Sequence, residues 1–178
     1  MKIITLIFTI VCIGTSAVNA QEIKGIDQSP LDFAVFRPGS QESYPVARII
    51  YSRPQKKGRN IFGELVPFGK IWRTGANQST ELNLYKDISF EGKKLKKGSY
   101  TIYTIPNEKE WTIIINSKLF TWGHFDYDES KDVMRFNVPL NKSVVEREYF
   151  GIAFTGKDGK GSLLMAWDST EIYINFEY

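Results

Sequence analysis

Cysteine and histidine are nearly absent: the chain of 178 residues has one of each, Cys12 and His124. A cysteine framework, a thiol nucleophile and a multi-histidine or multi-cysteine zinc centre are thereby excluded from residues 21–178. Long apolar runs are also missing. The longest, Ile3 to Ile13, is about half of the roughly 20 residues that a membrane span requires, and it dissolves into Gly14, Thr15 and Ser16. With Lys2 before it and Val18, Asn19, Ala20 after it, this run has the anatomy of a signal peptide cleaved after Ala20. Val11 ahead of Cys12 is not the small residue that precedes a lipidated cysteine. Charge of one sign is lacking too. The formal net charge is +3, and loss of Lys2 with the leader leaves +2, so nothing marks a nucleic-acid surface.

What the sequence has in quantity is aromatic residues, with 12 Phe, 9 Tyr and 4 Trp. Residues 21–178 carry about nine strand-like runs separated by Gly, Pro, Asn and Asp, and no amphipathic helical period. That pattern predicts a single all-β domain, an antiparallel β-sandwich of jelly-roll-like type, with the aromatics as its core. Val46–Tyr51 and Glu81–Phe90 read as strands, the second with Leu82, Leu84 and Ile88 on one face. Tyr100–Ile105 and Trp111–Ile115 form a predicted hairpin. A second joins Tyr149–Phe154 to Leu163–Trp167 through the Gly- and Asp-rich turn at 156–161. Ile172, Ile174 and Phe176 alternate in a predicted C-terminal strand. The lysines at 93, 94, 96 and 97 flank Gly92 and Gly98, as at a solvated hairpin end.

Residues 51–80 have little hydrophobic period and are expected to be one long ordered crossover loop. They bring Arg53, Lys57, Arg59, Trp72, Arg73 and Asn77 into one stretch. Arginine forks suit carboxylate, phosphate or sulfate, and a tryptophan beside one adds a stacking face. Gly75 permits close backbone approach, and Asn77 and Thr80 can complete a polar pocket. The bland reading of the same stretch is an ordered connection whose arginines are tied to the domain's own carbonyls and carboxylates. A phosphate-loop match at Gly63, Gly69 and Lys70 fails, because five residues separate the glycines, Ile71 replaces the hydroxyl residue and Pro67 interrupts. No nucleotide or other cofactor is expected.

The stretch at 120–132 holds Trp122, His124 and alternating Asp126, Asp128 and Asp132. Oxygen ligands at alternate positions suit calcium, but the glycine and the distant glutamate of a calcium loop are missing, and no metal is expected. Asp126, Asp128 or His124 would be the acid or base of a cell-envelope hydrolase, the alternative reading. No serine sits in a glycine-flanked elbow, and Glu146, Glu148, Asp168 and Glu171 read as solvent-facing strand residues. Asn77 and Asn141 stand in glycosylation sequons.

The segments SRPQKKGR, IFGELVPFGKIWRTGAN and GSYTIYTIP, with Trp111, the Trp122–Gly123 pair and KDVMRF, resemble the bacterial family called domain of unknown function 2911. The resemblance spans about Ser29 to Tyr178. It implies an exported, periplasmic or secreted protein of the kind typical of Bacteroidetes, and it implies no activity. The family's motif matches Arg53, Lys57, Arg59, Trp72, Arg73 and Asn77, whereas it sets no requirement at His124. The expected function is a non-catalytic module binding an anionic or carbohydrate ligand through those six residues together with Trp122. A structural or interaction scaffold is the third reading.

Overall fold

The computed structural model describes Ile23, residues 25–40 and residues 43–178; the leader expected over residues 1–20 lies outside them. Nine strands follow in chain order: β1 Leu31–Phe36, β2 Ala47–Ser52, β3 Thr80–Leu84, β4 Ile88–Phe90, β5 Lys93–Leu95, β6 Gly98–Pro106, β7 Glu110–Asn116, β8 Asp132–Lys157 and β9 Lys160–Glu177. They pair antiparallel in the order β1-β2-β3-β6-β7-β8-β9-β4-β5. The all-β expectation holds, and among the described residues the only helical element is the 3-10 turn Glu129–Lys131.

Strand β8 gives the sheet its second layer. Its first part, Asp132–Pro139, pairs with β7, and its remainder from Leu140 pairs with β9, with register shifts between Lys142 and Gly151. Bulges of this kind bend a strand and raise its twist. The chain is thereby returned so that inner faces meet. Phe36 of β1 packs against Phe154 of β8 and Phe176 of β9, with ring centroids 5.7 and 5.3 Å away, and Tyr51 of β2 meets Phe150 of β8 edge to face. This packing is consistent with the expected sandwich.

The sequence period explains which faces are buried. In β7, Trp111, Ile113 and Ile115 point inward and belong to one apolar core with Ile49, Leu82, Ile102 and Trp167. Ile114 and Tyr103 point the other way and are also fully buried. The loop after β7 covers them, with the Tyr127 ring 5.2 Å from Tyr103 and the Thr121 hydroxyl 2.8 Å from the Tyr103 hydroxyl. That cover brings Trp122 and His124 toward the β2–β3 connection.

Both predicted hairpins are present. Asp158 and Gly159 turn the second at φ 54° and 80°, the doubly positive pair of a type I′ turn. Glu81–Phe90 is one correction: it is two strands. Inward positions Leu82, Leu84, Ile88 and Phe90 keep one alternation across the break, so the pattern reads as continuous. The turn is fixed by Asp87, whose carboxylate accepts from Lys97 N–H and Lys96 Nζ, both at 2.9 Å. β4 then leaves β3 and joins β9.

The crossover is the other correction. Residues 53–79 are ordered, but they connect β2 to its sheet neighbour β3. Such length joins adjacent strands because the segment first runs along β8, with Lys56 N–H donating to Glu148 O at 2.7 Å, and then along β6, where Trp72 and Thr104 exchange backbone bonds. It stitches the two layers at one end of the domain.

The C-terminal strand closes the core, so loss of its last aromatic is a direct test. Phe176 is 4% exposed and packs against four rings, those of Phe36, Phe90, Phe154 and Tyr178. Phe176→Ala is expected to cost about 3–5 kcal/mol, seen as a lower urea midpoint with unchanged slope; a loss under about 1 kcal/mol contradicts this packing.

Candidate functional site

The β2–β3 connection is pinned to β8 and β9 near its start. Lys56 Nζ lies 2.6 Å from Glu146 and 2.7 Å from Asp168, two carboxylates of β8 and β9. These partners raise the Lys56 pKa, the Asp168 and Glu146 hydrogen bonds being the main causes. Glu148 Oε1 accepts from Lys57 N–H at 2.8 Å, and Arg147 pairs with Glu171 at 2.8 Å. The four carboxylates read from sequence as strand residues are therefore braces.

The sequence candidates divide by what they touch. Arg53 is a brace: its Nε donates to Phe150 O at 3.0 Å and its Nη1 to Asp32 at 3.1 Å, and it faces a different hollow. Arg59 donates to Lys56 O at 2.9 Å and to Gln55 O at 2.5 Å, locking its own turn. Trp72 is 7% exposed and cannot serve as an open stacking face. Its ring lies among Phe62, Trp111, Phe150 and Trp167, stacked on the last at 6.0 Å, and its Nε1 donates to Gly75 O at 3.0 Å. Gly75 is held by space, since a Cβ there would meet Ser52 O at 3.0 Å.

Arg73 differs from the other arginines of this stretch. It is partly buried, its side chain forms no ion pair or hydrogen bond among the described residues, and its Nε is buried without a partner. Burial lowers its pKa, although a guanidinium stays charged at any physiological pH. Arg48 Nε on β2 is also unpartnered, but outside this cavity. A half-desolvated cation without a counter-ion is costly, so its persistence requires a reason.

Arg73 lines a cavity of about 420 Å³ with Lys57, Arg59, Lys70, Asn77 and His124. Four cationic residues form part of its wall and, among the described residues, no Asp or Glu does. His124 Nδ1 is likewise buried and unpartnered, with its ring stacked on Phe125 at 5.0 Å. The backbone that aims Arg73 is strained: Thr74 and Asn77 both sit at φ 57°, a region that a β-branched residue rarely enters. Thr74 is held there by Thr80, whose hydroxyl donates to Thr74 O at 2.6 Å. Gly123 is held against Asn77 by Gly123 N–H to Asn77 O at 3.0 Å, and Ser79 Oγ donates to Gly123 O. Gly123 sits at φ 64°, and a Cβ there would stand 2.9 Å from the Phe125 ring and in ordinary contact, 3.5 Å, with Arg73 Nη1, so the turn and the Phe125 ring require glycine while the loop after β7 lies against the guanidinium.

This arrangement belongs to a known sequence group, for a family model described as protein of unknown function (DUF2911) matches residues 40–176. The chain belongs to that family. Neither the curated proteins nor the solved structures gave a match. Of the family-motif residues, the structure brings Lys57, Arg59, Trp72, Arg73 and Asn77 to one cavity and separates Arg53 from them.

Trp122 is 55% exposed and lines an adjoining hollow. Sequence reasoning missed Lys70, Gln55 and Gln28, all on the cavity wall. Gln28 belongs to the segment before β1, and its side-chain oxygen accepts from Lys57 Nζ at 2.9 Å. No local pattern identifies such a residue. Lys70 was legible only as part of the rejected phosphate-loop match.

The metal and hydrolase candidates fall elsewhere. Asp128 caps the 3-10 turn, accepting from Ser130 N–H at 3.0 Å and its hydroxyl at 2.7 Å. Asp132 accepts from Asn116, Tyr127 and Arg135. Asp126 is exposed and offers only its carbonyl, to Lys118. Among the described residues no three His, Cys, Asp or Glu side chains converge on a metal position. Only His124 of this group reaches the cavity.

Two outcomes follow for stability. Arg73→Met should change it by less than about 1 kcal/mol, since an unpartnered cation is exchanged for an apolar chain, while Arg53→Ala should cost about 1–2 kcal/mol by orphaning Phe150 O. Urea denaturation of both variants checks this contrast, and equal losses contradict it. Tyr127 is the titrating group to test. Burial first, then its bond to Asp132, pushes its pKa up to about 12. Its contribution is therefore complete below the unfolded value of about 10 and is lost as pH rises from there through about 12. Between about pH 9 and 11.5 the urea midpoint of the wild type should fall further than that of Tyr127→Phe; parallel falls contradict the assignment.

Proposed function

We propose that this protein is an exported, non-catalytic binding module that takes a small anionic ligand in the Arg73 cavity. The observation behind this reading is the unpartnered Arg73 guanidinium in a space of about 420 Å³ whose wall has Lys57, Arg59 and Lys70 but, among the described residues, no carboxylate. That volume lies within the range of small-molecule sites. A carboxylate, phosphate or sulfate entering it would supply the counter-ion that the fold omits and accept the donors of the planar fork. The export expected from the leader places the module in the periplasm or outside the cell.

Binding is favoured over hydrolysis by the same geometry. His124 is the one sequence-expected acid or base on the cavity, and no carboxylate orients its ring. General acid–base chemistry needs such a partner or a nucleophile within hydrogen-bond reach. The scaffold role fits Arg53, Lys56 and Arg59, whose contacts are all internal, and leaves Arg73 unexplained.

Thermal denaturation with phosphate, sulfate, citrate and acidic sugars at constant ionic strength tests the reading. A ligand at a hundred times its dissociation constant adds about 2.7 kcal/mol. A saturable rise in Tm that Arg73→Met removes is expected. A rise that Arg73→Met leaves intact, or none with any anion, overturns it.

A further inference from the structure

A second hollow of about 480 Å³ adjoins the first, and Ser29 and Asn77 line both. Its chemistry is the opposite. Asp27 and Glu81 are on its wall with Gln78, Ser79 and Trp122, and among the described residues no Lys or Arg is. Asp27 is held in its ionised, accepting form, since Ser29 N–H at 2.7 Å and the Asn77 side chain lower its pKa. Trp122 is the one tryptophan left open, 55% exposed, while Trp72, Trp111 and Trp167 are buried. Its backbone is fixed by a bridge to Gln78, so the ring stands at a defined place on the rim.

We infer that the site takes an acidic oligosaccharide, its acid group at Arg73 and a neighbouring sugar ring on Trp122. This rests on the anion site proposed above and names what the ligand carries beyond its charge. Sugar hydroxyls donate to carboxylates and side-chain amides, and the apolar face of a pyranose covers an indole; Asp27, Glu81, Gln78 and Trp122 offer that set. A simple inorganic anion would leave the second hollow unused. An acid-bearing saccharide fills both, because its negative group and its hydroxyl-rich ring are covalently neighbours, as the two hollows are neighbours across Asn77.

Calorimetric titration of the protein with galacturonate, digalacturonate, a sulfated chondroitin disaccharide, maltose and a Glu-Lys dipeptide separates the possibilities. At least one acidic disaccharide should bind tenfold or more tightly than galacturonate, and maltose more weakly than either. Trp122→Ala, a change at an exposed ring, should remove the disaccharide's advantage and leave galacturonate affinity unaltered, whereas Arg73→Gln should weaken both at least tenfold. Equal affinity for acidic disaccharides and galacturonate, indifference to Trp122→Ala, or preference for the dipeptide, whose ammonium would then be the group at Asp27 and Glu81, overturns the inference while the anion site stands. Absence of any binding that Arg73→Gln weakens overturns the anion site itself.

Discussion

The structure of the Arg73 cavity depends on the burial of Trp72. Its ring lies among Phe62, Trp111, Phe150 and Trp167, drawn from the connection itself, from β7, β8 and β9, and so joins both layers. Its backbone pairs with Thr104 of β6. Each buried ring removes a large apolar area from water, and edge-to-face contacts add to that. With residue 72 held by ring and backbone, residue 73 has no freedom to turn its side chain to the protein exterior, and the guanidinium emerges into the cavity beside it.

A second set of contacts keeps that cavity basic. Lys56 satisfies Glu146 and Asp168, Arg147 satisfies Glu171, and the Glu148 carboxylate is taken by a backbone N–H. The acids nearest the β2–β3 connection are thereby spent on the frame. Charge is segregated, with cations on one side of Asn77 and Asp27 with Glu81 on the other. Close approach shapes the walls at two glycines, Gly75 against Ser52 and Gly123 against Phe125. The left-handed Thr74 between them shows that the loop conformation is held by its surroundings and not by local preference.

Much of the fold was legible in the sequence. Alternation in β3, β7 and β9 names the inward residues correctly, and the Asp158–Gly159 and Asn107 turns mark two hairpins, because period and turn chemistry are local. The break at Asp87 was not legible, since Leu82, Leu84, Ile88 and Phe90 keep one period on either side of it. Nor was the route of the long connection, which pairs with β8 and β6, partners that lie far away in sequence. For the site, composition picked a stretch of which the structure brings five candidates to one cavity, but it could not tell Arg53 and Arg59, whose donors are used internally, from Arg73, whose donors are not. That distinction resides in tertiary hydrogen bonding. Of the two candidate stacking faces Trp72 is buried and Trp122 is open, a difference that adjacency to an arginine in sequence does not reveal.

The central claim is that Arg73 is an anion receptor held open by its neighbours. Proton–nitrogen correlation spectra of the arginine side chains, recorded during titration with sodium phosphate at constant ionic strength, test it most directly. The Arg73 Nε–Hε signal, assigned as the one missing in Arg73→Met, should shift saturably while those of Arg53 and Arg59 stay in place. An unmoved Arg73 signal, or all arginine signals drifting together without saturation, would contradict the account.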